Sequence, residues 1–126
     1  MIDHLSFGVS DVAKSIVFYD AVLETLGIVR VWRYNDAAGY GYPGHDDAFA
    51  IKQSTTSRAG SDVRSHVAFV ARSRAAVIAF HAVAMMSGAT DEGRPELCPI
   101  YGAGYFAAFV RDPDGHRLEA VIHERG

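Results

Sequence analysis

The sequence predicts an α+β fold made of two βαβββ modules. Three observations carry that expectation. The chain repeats itself at about half its length, each copy pairs an alternating strand with a helical apolar stripe, and each helix is followed by short β-rich segments split by turn residues. The segment His4-Leu5-Ser6-Phe7-Gly8-Val9 resembles His66-Val67-Ala68-Phe69-Val70-Ala71, an offset of 66 − 4 = 62 in a chain of 126 residues. The match runs on without gaps, with Ala13 meeting Ala75, Ile16 meeting Ile78 and Phe18 meeting Phe80.

In the first copy, residues 2–9 read as a strand, because Leu5, Phe7 and Val9 alternate with His4, Ser6 and Gly8. Ser10 or Asp11 offers a side-chain oxygen to the first-turn N–H groups of a helix. Val12, Ile16, Tyr19, Leu23 and Leu26 then recur at helical spacing, and Gly27 stops the helix. Strands follow near 28–34, 38–42 and 47–53, separated by Asn35-Asp36 and Pro43-Gly44. The second copy has a strand over 64–71, a cap at Ser73, and a helix whose apolar face includes Val77, Phe80, Ala84 and Met85 before Gly88. Its strands fall near 90–93, 104–111 and 116–123, and Asp112-Pro113-Asp114-Gly115 makes the last turn. Module 1 thus covers about 1–53, a polar linker about 54–62, and module 2 about 63–126, together one domain. Each module is too small to bury its own sheet, so the two should pack together or against another chain.

Composition narrows the function classes. Apolar residues make up 49% and charged residues 21%, with 12 basic against 15 acidic side chains and a net charge of −3, which is ordinary for a soluble globular chain. No basic run marks a nucleic-acid surface, and no apolar stretch approaches the roughly 18 residues of a membrane span. The start, Met1-Ile2-Asp3-His4, lacks a signal-peptide pattern, and the single Cys98 rules out an intrachain disulfide, so a cytoplasmic location is expected. A Gly-rich phosphate loop, a Ser/His/Asp signature and a Cys-x-x-Cys pair are all absent.

The stretch from Tyr105 to Val121, in which Asp112-Pro113-Asp114-Gly115 leads into a strand centred on Glu119, joins with the histidine opening each module. In these features the chain resembles the glyoxalase/bleomycin-resistance/extradiol-dioxygenase (vicinal oxygen chelate) superfamily over essentially its whole length. The resemblance implies that the mixed sheets of the two modules curl into a cup. It also implies that His4, His66 and Glu119 match the family's metal ligands. Two imidazoles and a carboxylate suit one divalent ion, Fe, Mn, Ni or Zn, and leave room for water or substrate. Glu119 and Tyr105 are then the candidate catalytic residues, and Tyr101, Tyr105 and Ile51 the candidate substrate pocket. Ile51, give or take one residue, stands where glyoxalase I carries a fourth, carboxylate ligand, and neither it nor Lys52 can serve as one.

Other residues fit structural roles as well. Tyr40 and Tyr42 lie on strands expected to line the cup, Cys98 on a loop over it, and His45, His116 and His123 near turns or the last strand, mostly in solvent. His81 falls in the second helix, partly exposed. The function implied is a divalent-metal-dependent glyoxalase- or dioxygenase-like enzyme (a lyase, an isomerase or a dioxygenase) that acts on a small oxygen-chelating substrate. The competing reading is a metal-free drug-binding protein of the bleomycin-resistance type. A homodimer, with strand edges or swapped modules at the contact, is expected in either case.

Overall fold

The computed structural model describes residues 1–54 and 64–124. Its elements run β1 (Leu5–Val9), α1 (Val12–Glu24), β2 (Val29–Tyr34), β3 (Ala37–Gly41), β4 (Phe49–Gln53), β5 (His66–Val70), α2 (Arg74–Met86), β6 (Thr90–Leu97), β7 (Tyr105–Arg111) and β8 (Arg117–His123). They form two four-stranded mixed sheets of the same order, β1-β4-β3-β2 and β5-β8-β7-β6. In each, the first strand lies parallel to the last and the remaining pairs are antiparallel. The two-module architecture read from the repeat is therefore the fold. The linker expected over 54–62 falls, apart from Ser54, outside the described residues.

The helix ends follow local chemistry. Asp11 caps α1 by accepting from Lys14 N, and Ser73 caps α2 by accepting from Ala76 N. Ser10, the other candidate cap, instead donates its N–H to Asp114 Oδ1 in the other module. Gly27, at φ 76°, closes α1 in the left-handed conformation that glycine adopts without strain.

The repeat is weaker in packing than in boundaries. The stripe Val12, Ile16, Tyr19, Leu23 and Leu26 is buried as expected. In α2, Val77, Phe80 and Ala84 are buried, but Met85 is 39% exposed and Ile78, the counterpart of Ile16, is 52% exposed. The difference lies in the neighbours, since α1 packs on the Asp112 turn of the other module as well as on Tyr40 of its own sheet, whereas Ile78 and Met85 of α2 face outward. A second correction concerns β6, which runs to Leu97 rather than stopping near 93. Its pairing with β7 shifts register at Gly93. As an edge strand, β6 tolerates such bulges and the Pro95 that lacks an N–H.

The seam between modules is built by the turn Asp112–Gly115. Asp112 is buried and accepts from Asp114 N and His116 N, while Gly115 sits at φ 94°. Its second carboxylate oxygen accepts from Tyr19 OH on α1. His116, expected in solvent, instead stacks on Phe7 at 4.1 Å and 7° between planes, donates from Nε2 to Gly8 O and takes Ser65 Oγ on Nδ1. Across the seam, Phe49 meets Phe69 edge to face at 5.4 Å.

Two buried tyrosines make alkaline pH a test of this packing. Burial, first, and then Asp112 beside Tyr19 raise that phenol well above the ordinary value near 10. Burial and the hydrogen bond to Asp20 do the same for Tyr40. The folded chain therefore holds these protons where the unfolded chain loses them. Their stabilisation is complete below about pH 10 and is lost as pH rises towards the folded pKa values. The melting temperature should stay level to about pH 9.5 and fall steeply above it. A flat profile to pH 11.5 would contradict the assignment.

Candidate active site on the helix-free face of the second sheet

Strand alternation sends Phe69, Phe106, Ala108, Val110, Leu118 and Ala120 to the core shared with α2. The opposite face of the same sheet carries a separate small apolar cluster of Ala107, Phe109 and Val121, with Tyr105 and Cys98 packed on it. Glu119 stands within this face, only 2% exposed. Its register neighbours are Ala68 on β5 and Phe109 on β7, so nothing polar flanks it directly in the ladder.

Both carboxylate oxygens are engaged. His66 Nε2 donates to Oε1 at 3.0 Å, and Tyr105 OH donates to Oε2. The His66 side chain remains 42% exposed, so the cluster runs from solvent into the sheet. Burial and the bond to Glu119 hold the Tyr105 phenol well above its ordinary value, which keeps it a donor across the neutral range. Tyr101 sits 5.3 Å from the Tyr105 ring, and His123 approaches it edge-on at 4.9 Å. Cys98 accompanies them. Burial, then Glu96 and Glu119, raise its thiol, which favours the protonated and less reactive form.

Of the residues singled out in the sequence, Glu119, His66, Tyr105 and Tyr101 come together. His4 does not join them, since it precedes β1, is exposed, and bonds Asp3 Oδ1 at 2.7 Å through Nδ1. Ile51 is fully buried on the helix side, where it pairs in register with Phe7, so it lines no pocket on the open face. The counterpart of Glu119 is Ala50: Ser6 pairs with Ala50 as Ala68 pairs with Glu119. Tyr40 is likewise a core residue, its hydroxyl on Asp20 Oδ1 at 2.9 Å, and Tyr42 lies beneath Arg72 at 5.2 Å. Arg117, to which the sequence alone assigns no role, shares the face of Glu119. Strand alternation placed it there, but a guanidinium two residues from a carboxylate reads as its partner until contacts are seen.

Among the described residues, one chain by itself does not bring His4, His66 and Glu119 together. His66 and Glu119 are two donors in contact, and among the described residues no group of three His, Cys, Asp or Glu side chains is placed to hold an ion. A crevice of about 530 Å³ lies elsewhere. It opens at the module seam between Leu5, Phe49 and Phe69, with Asp46 and Asp47 at its lining, and includes none of His66, Tyr105 or Glu119. No described helix is long and apolar enough to cross a membrane.

The model of the Glyoxalase/Bleomycin resistance protein/Dioxygenase superfamily matches residues 1–120. The chain belongs to that superfamily. A glyoxalase/bleomycin resistance protein from Albidiferax ferrireducens T118 is similar at 31% identity and TM-score 0.80, over 94% of this chain and 96% of that one. A glyoxalase-related enzyme from Fulvimarina pelagi shares the fold at 21% identity and TM-score 0.70, over 96% and 86% of the two chains. A variant of glyoxalase I from Zea mays does so at 20% identity and TM-score 0.70, with 95% of this superfamily member covering 45% of that longer chain. No protein of curated function matches the chain.

Proposed function

We propose that this superfamily member is an enzyme acting on a small oxygen-chelating substrate at the helix-free face of its second sheet, with Glu119 and Tyr105 as the catalytic groups. The observation that carries the reading is the buried carboxylate of Glu119, gripped by His66 and Tyr105 among Ala107, Phe109 and Val121. A carboxylate withdrawn from water into apolar surroundings is costly, and such groups concentrate at functional sites. Glu119 would take and return a proton, with His66 and Tyr105 holding the carboxylate in position as neutral donors.

A divalent ion (Fe, Mn, Ni or Zn) would supply Lewis-acid polarisation of adjacent substrate oxygens. His66 and Glu119 would be two of its ligands. The third, His4, lies in the other module, so we assign it to a second copy of the chain in a homodimer. Light scattering should then give a dimer. Each added ion that binds should raise the melting temperature by mass action, and His4→Gln should roughly halve that rise or remove it. A monomer at high micromolar concentration, or an unchanged ion response in His4→Gln, would overturn the shared site.

One observation favours the metal-free binding protein instead. Ala50 puts a methyl group where the first module would mirror Glu119, and Trp32 covers Gly39 beside it, leaving an apolar, aromatic face without a second carboxylate. Failure of all four ions to bind would select that reading.

A further inference from the structure

Among the described residues, one buried side-chain nitrogen or oxygen has no hydrogen-bond partner: Nε of Arg117. Buried donors are almost always satisfied, so an orphan on a candidate site calls for a physical reason. Arg117 pairs in register with His66 on one side and Arg111 on the other, on the face that carries Glu119. Two carboxylates of this sheet are engaged by other donors. Glu119 receives His66 and Tyr105, and Glu92 receives Arg111 Nε at 2.6 Å. The Arg117 guanidinium lies over the Phe109 ring, 4.8 Å from carbon to centroid. The stacking fixes its plane without using any of its donors.

We infer that Arg117 is the anchor for an anionic small molecule, a carboxylate bound through the guanidinium with its apolar part against Phe109. The inference rests on the proposed site and adds the charge of what that site takes. A planar fork held flat on an aromatic ring, with a free Nε–H, matches the two oxygens of a carboxylate. The ligand therefore carries its negative charge at the Arg117 end and presents its reacting atoms towards Glu119, two residues further along β8, and the His66 imidazole bonded to it.

Benzoate is the probe, because it has a carboxylate and a ring but no second oxygen function to chelate an ion, and benzamide is its neutral control. Titration of the protein should move the Arg117 Nε–H resonance saturably with benzoate and not with benzamide. Arg117→Gln should weaken benzoate binding roughly ten- to hundredfold, leave benzamide unchanged, and keep the wild-type circular dichroism. Arg117→Lys should recover only part of the loss, since an ammonium keeps the charge without the fork. Equal binding of benzoate and benzamide, an unmoved Nε–H signal, or unchanged benzoate affinity in Arg117→Gln would each overturn the inference. A variant that loses only self-association would overturn it too, by assigning the guanidinium to a subunit contact. Ion binding that persists while benzoate fails would leave the proposed enzyme standing and remove the anionic anchor.

Discussion

Glu119→Gln is expected to lower activity by about 10²–10⁴ and divalent-ion affinity by at least about a hundredfold, while the fold persists. Glutamine has the shape of glutamate, so its Oε can still accept from Tyr105 and its amide can donate to His66 once the imidazole turns to the other tautomer. It has neither the charge to bind a cation nor the basicity to take a proton. The change also removes the cost of burying a charge, which offsets the weaker hydrogen bonds, and stability should stay within about 1 kcal/mol of wild type. The measurement is metal content, ion-induced melting shift and turnover for the variant beside wild type. Equal metal content and equal shifts in both would show that Glu119 is not a ligand. Retained turnover would remove it from catalysis.

Asp112→Ala carries the largest expected effect on stability, about 3–4 kcal/mol, or roughly 10–15 °C in melting temperature. The carboxylate accepts from Tyr19 OH, Asp114 N and His116 N, and alanine strands all three. Tyr19 is wholly buried, so its hydroxyl has no water to turn to. Burial lifts the Asp112 carboxyl above the ordinary range, and the bonds from Tyr19 and His116 oppose that rise, which marks them as what keeps the acid there. The turn it organises also seats His116 on Phe7 and Asp114 on Ser10 N, so loosening it weakens the module seam as well as the hairpin. Tyr19→Phe removes one of the three donors and should cost only about 1 kcal/mol. Denaturant unfolding of both variants separates the cases. An Asp112→Ala protein within 1 kcal/mol of wild type would mean that the seam does not depend on this carboxylate.

Local pattern was enough for the elements and for much of the site. Alternation in Leu5-Ser6-Phe7 and Val67-Ala68-Phe69, the stripe from Val12 to Leu26, the caps Asp11 and Ser73, and the Asp112–Gly115 turn each act within a few residues, through backbone geometry and nearest-neighbour hydrogen bonds that any reader of the chain can count. The same alternation puts His66, Glu119 and Tyr105 on one face, and the β5–β8 and β7–β8 registers then bring them into contact. Packing between distant segments decided the rest. Ala50 rather than Ile51 mirrors Glu119, because Phe49, Ala50 and Ile51 are all buried and no local alternation shows which of them faces the helix. His116 leaves solvent for the seam because the other module places Phe7 and Gly8 O beside it, and Met85 is left exposed on α2. Glu119 takes one donor from β5 and one from β7, while the buried Nε of Arg117 on the same face has no partner. Which donors meet that carboxylate depends on three strands at once, and no single stretch of sequence contains it.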